Sequence, residues 1–259
     1  MTAVIGLLVL FFHAGPASAD QALINEALTG RADVVGTVVR LSAGRASAVA
    51  LHRAGQLARS RGAAIILHPP GGNADDPTRV RPLRLGLSDA GWDTLAVQLP
   101  ARLVSESPLQ WLARNEQLIP LLIAASQWLE QRGQSNQVLL GIGSSGLAAL
   151  SFVAGPNAAR IQALVLISTV IERDSEAGNQ LVTLQKPLLD VAAERDRADV
   201  LRSAAVKRQL AGHNAAFSQR RIADAGPGFA GMELELVSTV RAWLATHADD
   251  HRLRQPTGE

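Results

Sequence analysis

The sequence predicts an α/β protein, a mainly parallel, doubly wound sheet flanked by helices. Three observations lead there. Short continuous apolar runs, among them Ala63-Ala64-Ile65-Ile66-Leu67 and Val138-Leu139-Leu140, have the length of strands buried on both faces of a parallel sheet. Segments with apolar residues at helical spacing alternate with those runs. A glycine-rich corner, Gly141-Ile142-Gly143-Ser144-Ser145-Gly146, joins one run to a helix of small residues. With 259 residues, 47% of them hydrophobic and 19% charged, the chain can bury one large core.

Residues 1–19 read as a secretory signal. Val4 to Phe12 forms its apolar stretch, and Ala17-Ser18-Ala19 before Asp20 is an A-x-A cleavage site, although no Lys or Arg precedes the apolar stretch. Nine apolar residues are too few for a span, which needs about twenty. The expectation is therefore a periplasmic or secreted chain cleaved after Ala19 and without a transmembrane anchor. A single domain is expected over residues 20–250, with a frayed tail at 251–259. The chain holds no cysteine, so no disulfide framework exists. The net charge is only +2, and the basic residues are scattered without interleaved aromatics, which excludes a nucleic-acid stripe.

In chain order, Ala32–Leu41 and Ala46–His52 read as the first strands, antiparallel to the rest, and Arg53–Arg61 as a brief helical or loop crossing. Gly62–His68 is a buried strand, followed by the loop Pro69–Pro77. Arg79–Ala90 is a helix stopped by Gly91, and Trp92–Leu99 a strand stopped by Pro100. Pro108–Gln131 is the longest helical pattern, with a kink or break expected at Pro120. After the corner come a helix over Gly146–Val153 and a strand over Ile161–Ile167. Thr169–Gln185 is a polar excursion without a clean period, placed where a lid often sits. Lys186–Ala192 is a strand, Asp199–Ala211 a helix, Gln219–Ala223 a last strand and Gly231–Ala248 a closing helix. Trp92, Trp111, Trp128 and Trp243 are expected to pack in the core or at an interface.

Two sites are built on corners of this kind. Gly141, Gly143 and Gly146 satisfy the dinucleotide fingerprint G-x-G-x-x-G, but three or four strands precede them and no acid ends the next strand at Leu166-Ile167-Ser168-Thr169. The other site is the nucleophile elbow, a serine at the tip of a strand-to-helix turn, and the running order of the chain resembles the α/β-hydrolase core. Pro82-Leu83-Arg84 with Gly91-Trp92-Asp93-Thr94-Leu95-Ala96-Val97-Gln98-Leu99-Pro100 more narrowly resembles the exported bacterial hydrolase-like family called domain of unknown function 3530. That resemblance implies fold and compartment more than chemistry.

Placed on the hydrolase frame, the nucleophile position falls on Gly143, which has no side chain. Asp196 takes the acid position, and Pro227, in Gly226-Pro227-Gly228-Phe229, stands where histidine is expected. Ser144 and Ser145 are alternative nucleophiles whose ordinary role is helix capping, and His213 is the alternative base. Pro69 and Pro70 have no N–H for an oxyanion hole, although Gly71 has one. The expected cleft comprises His68, Gly71, Gly72, Gly143, Ser144 and Ser145, and the helix start there suits an anion. His247 and His251, with Asp249 and Asp250 between them, could clasp a metal but read as solvated terminal residues. No metal and no cofactor are expected. The expected function is a non-catalytic binder of a small molecule or an envelope protein, with an esterase-type serine hydrolase or a dinucleotide binder as alternatives.

Overall fold

A computed structural model describes residues 25–26, 28–30, 33–44, 46–114 and 116–248. Residues 1–19, read above as a secretory signal, the tail from 251 and the Asp249, Asp250 and His251 of the metal reading lie outside them.

Eight strands form one sheet in the order β1-β2-β4-β3-β5-β6-β7-β8. They are β1 (Thr37–Ala43), β2 (Ala46–Arg53), β3 (Gly62–Leu67), β4 (Trp92–Val97), β5 (Gln137–Ile142), β6 (Ile161–Ile167), β7 (Leu188–Ala193) and β8 (Phe217–Ile222). β2 runs antiparallel to both its neighbours, and β3 to β8 are mutually parallel. Every residue of β3, β5 and β7 is buried, as their unbroken apolar runs require between two helical layers. β8 is an edge strand and carries exposed Arg220 and Arg221, charges that discourage pairing with another sheet.

The helices among the described residues are α1 (Val80–Asp89), α2 (Pro108–Arg114), α3 (Leu118–Glu130), α4 (Ser145–Ala154), α5 (Glu176–Thr183), α6 (Ala198–Leu210) and α7 (Glu233–His247). α1 and α7 cover one face through Val80, Leu83, Leu87, Leu236, Val240 and Leu244, all fully buried. They approach so closely that a Cβ on Gly86 would lie 2.3 Å from Val237 Cγ1. α3, α4 and α5 cover the other face around Leu121, Leu150, Phe152 and Leu181. Where α7 ends, Asn136 Nδ2 donates both to Ala248 O (2.7 Å) and to Arg61 O (2.6 Å), joining the end of α7 to the entries of β3 and β5. No helix among the described residues is long and apolar enough to cross a membrane.

Two elements depart from the sequence pattern. The long helical pattern is two helices, broken between Arg114 and Leu118, and Pro120 falls in the first turn of α3, where a missing N–H costs nothing. The polar excursion contains α5, started by Ser175, whose Oγ accepts from Gly178 N at 3.1 Å. Of the two readings of Arg53–Arg61, the structure has the loop crossing.

Buried charge also holds the frame. Arg84 and Asp75 are fully buried and paired at 2.7 Å, while Arg81 reaches the same carboxylate and Arg84 donates to Val35 O. Burial pushes the Asp75 carboxyl up, but the guanidiniums of Arg81 and Arg84 outweigh it and hold it below the usual carboxylate range. This network fastens the loop after β3 to α1. Behind β6 and β7, fully buried Lys207 pairs with Asp190 and donates to Thr169 O at 2.8 Å.

Candidate functional site

β5 ends at Ile142 and α4 starts at Ser145, so Gly143 and Ser144 turn the chain. Gly143 sits at φ +62°, in the left-handed region open to glycine without strain. Its N–H donates to Ile167 O (2.8 Å), and its carbonyl accepts from Thr169 Oγ1 (3.0 Å). The flanking glycines matter by size. A Cβ on Gly141 would stand 2.5 Å from Gly146 Cα, and one on Gly146 only 2.1 Å from Thr169 Oγ1. Close packing of strand on helix and one tight turn thus account for the G-x-G-x-x-G spacing.

The two serines behave differently. Ser145 is fully buried; its Oγ accepts from Ile142 N (3.1 Å) and lies against the carbonyls of Ile142 (2.9 Å) and Leu67 (3.2 Å). It stitches β5 to β3 and does not face the cleft. Neither serine caps α4, contrary to the sequence expectation. Ser144 has helical backbone angles (φ −71°, ψ −16°) and makes no side-chain cap bond, whereas a capping residue needs extended backbone. Half-buried Ser144 instead lines the cleft.

Asp196 lies in the loop after β7. Its carboxylate accepts from Ser168 Oγ (2.5 Å), Arg197 N (2.9 Å) and Ala193 N (3.3 Å). Ser168 follows β6 at φ +49°, a left-handed backbone that is unusual for a serine. Pro227 belongs to the turn after β8, where Phe229 N donates to Gly226 O (3.0 Å) and the fully buried Phe229 ring anchors the segment. Gly143, Ser144, Asp196 and Pro227 all line one cavity of about 310 Å³. His213 does not join them. It sits between α6 and β8, at the amino end of β8 and so at the opposite end of the strands from the cleft, exposed and with Nδ1 3.1 Å from Leu210 O.

His68, expected in the cleft, is a strut beneath it. Leu99 N donates to Nε2 at 2.9 Å, so Nδ1 carries the proton and donates to Pro69 O at 2.8 Å. Burial lowers the His68 pKa to about 4, against the hydrogen bond to Pro69, which raises it. Both ring nitrogens are engaged and the side chain lines neither cavity. Pro69–Gly72 forms a type II turn, with Gly71 at φ +84° and Gly72 N donating to Pro69 O (2.9 Å). Gly71 and Gly72 therefore shape the loop and leave Pro69 and Pro70 as the cleft wall.

Three arginines complete that wall: Arg79 from the loop after β3, Arg102 from the loop after β4, and Arg197 from the loop after β7. The sequence hides them because they are far apart along the chain; only strand order brings them together at the carboxyl ends of the strands, where open α/β sheets bind ligands. Asp76 holds Arg79 at 3.2 Å. The loop bearing Arg102 is built on Glu106, which pairs with Arg114 at 2.6 Å and accepts from Leu103 N at 3.2 Å. Arg114 holds the Glu106 carboxyl below its ordinary range. Pro108, Ser144, Val170 and Arg197 also border a second, larger cavity of about 630 Å³ between α2, α4 and α5. Among the described residues no three His, Asp or Glu gather to hold a metal ion. His247 stacks on Trp243 at 4.5 Å. Trp92 and Trp111 are core residues, and Trp128 stacks under Arg132 at 3.5 Å.

Eight strands in this order, an antiparallel second strand, and a left-handed turn between β5 and the helix behind it define an α/β-hydrolase-fold protein. The chain belongs to the family described as Protein of unknown function (DUF3530), whose model matches residues 17–114 and 104–246. Solved structures share the fold at low identity. An esterase from Pyrococcus furiosus superposes with a TM-score of 0.68 at 15% identity, covering 83% of this chain and 93% of its own. A dienelactone hydrolase from Anabaena variabilis gives 0.65 at 19% identity, covering 83% and 98%. An alpha-beta serine hydrolase homologue from Coxiella burnetii gives 0.64 at 14% identity, covering 81% and 98%. No curated protein matches the sequence.

Proposed function

We propose that the protein is an exported, non-catalytic member of the α/β-hydrolase fold that uses the cleft over Gly143 to hold a small ligand or an envelope partner. The observation that supports this is what faces the cleft. The elbow tip is a glycine, the turn after β8 offers Pro227, and among the described residues no histidine lines either cavity. Ser-His-Asp chemistry needs a nucleophile within hydrogen-bond reach of a base, and the serine that borders the cleft, Ser144, has no histidine beside it in either lining. Asp196, left without a histidine, bonds Ser168 and backbone amides instead. The leader ending at Ala17-Ser18-Ala19 supports export.

A fluorophosphonate probe read by intact mass tests the reading. No adduct is expected, and no turnover of p-nitrophenyl esters. The competing reading is a serine hydrolase using Ser144, which is half-buried and borders both cavities. A stoichiometric adduct on Ser144 would establish it and overturn the non-catalytic one.

A further inference from the structure

We propose that the two cavities form one site for a single-chain amphiphile, with an anionic carboxylate or phosphate head on Arg79, Arg102 and Arg197 and an alkyl tail in the groove between α2, α4 and α5. The proposal rests on the ligand-binding reading of the cleft and names the ligand's chemistry.

The head end follows from charge. Three guanidiniums and one carboxylate, Asp196, line the smaller cavity. That carboxylate already accepts from Ser168 Oγ and the amides of Ala193 and Arg197, and the arginines outnumber it. Each arginine is fixed by one anchor: Arg79 by Asp76, Arg102 by the Glu106 carbonyl, and Arg197 by Asp199 at 3.1 Å. A guanidinium has five N–H donors in a planar fork, so donors remain for a planar or tetrahedral oxyanion. The first turn of α4, opening at Ser144 beneath the same cavity, adds N–H groups and the positive end of a helix dipole.

The tail end follows from the larger groove. Leu112, Ile119, Leu147 and Val170 line it, and Leu109, 63% exposed, leans on its mouth. Glu116, Glu172 and Glu176 also border that groove. Their charge excludes an anionic head from this end and sets the ligand's direction, head to the arginines. The shared border of Pro108, Ser144, Val170 and Arg197 makes the cavities neighbours, and volumes of about 630 and 310 Å³ suit a small molecule.

Calorimetric titration of the purified protein tests this, using octanoate, decanoate, dodecanoate, decyl phosphate, 1-decanol and butyrate, each below its micelle concentration. Decanoate and decyl phosphate should bind at least tenfold more tightly than 1-decanol, and butyrate should not bind measurably. Each added CH₂ should tighten binding about threefold to fourfold. Arg197→Gln and Arg102→Gln should weaken decanoate at least about fivefold and leave 1-decanol unchanged, since each removes a charged hydrogen bond. Leu109→Asp should weaken both. The ratio of decyl phosphate to decanoate affinity assigns the head as phosphate or carboxylate. Equal affinity for decanoate and decanol, or arginine variants that bind decanoate normally, would overturn the proposal. If amphiphiles fail to bind while the fluorophosphonate gives no adduct, only the ligand chemistry falls. An adduct on Ser144 would instead remove the non-catalytic reading beneath it.

Discussion

At the elbow tip any side chain would have to adopt φ +62° and press against Pro69, whose Cβ lies 3.3 Å from an ideal Cβ at position 143. Gly143→Ser is expected to cost about 1 kcal/mol. A chain of this size should then melt about 2–4 °C lower, measured by calorimetry, and still not turn over p-nitrophenyl acetate, because no base faces the new hydroxyl. His68 carries a second prediction at this scale. Its folded pKa of about 4 lies below the unfolded value of 6.5. As pH falls, the unfolded chain therefore takes up the proton first. The stability contribution is whole above pH 6.5, drains through the interval and is gone near pH 4, a change of about 3 kcal/mol. Denaturant unfolding between pH 7 and 4 should show that slope, and His68→Gln should flatten it. The sequence names His68 but not its role, because Leu99, the donor that fixes its tautomer, is 31 positions away.

At the level of elements, the contact between α4 and the end of β6 is the most sensitive. Gly146→Ala drives a methyl group onto Thr169 Oγ1, and overpacking of this kind costs about 1–3 kcal/mol. Thr169→Ala removes the nearest obstructing atom, so the double variant should be more stable than the sum of the single losses; urea midpoints of all four proteins measure the coupling. The strands and most helices can be read from apolar runs and 3.6-residue spacing, which is why β6 is found to the residue. α5 escapes that reading because its helical signal is the cap at Ser175, set among polar residues. The break before Leu118 is misplaced by that reading because Pro120 draws the expected break to itself, whereas the chain parts at the polar run Arg114-Asn115-Glu116-Gln117 and takes Pro120 into the first turn of α3. The arginine cluster has no local signal at all, since the sheet order alone assembles it.

Across the whole molecule, two fully buried ion pairs, Asp75–Arg84 and Asp190–Lys207, tie the loop after β3 and the strand β7 to the helical layers. Lys207→Met alone should cost about 3–5 kcal/mol, because it leaves a carboxylate buried without its cation. Asp190→Leu with Lys207→Met should recover most of that loss, as judged by thermal melting. Asp75 and Arg84 are 9 positions apart and Asp190 and Lys207 17, neither within one helix, so composition gives no hint of them.

The Asn136 side chain that grips Ala248 has a consequence for the order in which the chain can be completed. The inner side of α1 and the face of β6 and β8 under α7 stay uncovered until α7 is made, and α7 follows every other described element in the chain. Until then Leu83 and Leu87 on α1 and Val165 on β6, all in that apolar cluster, lack their cover from α7. A chain that stops before Leu236 therefore keeps that surface open and should go to proteolysis rather than to a smaller stable fold.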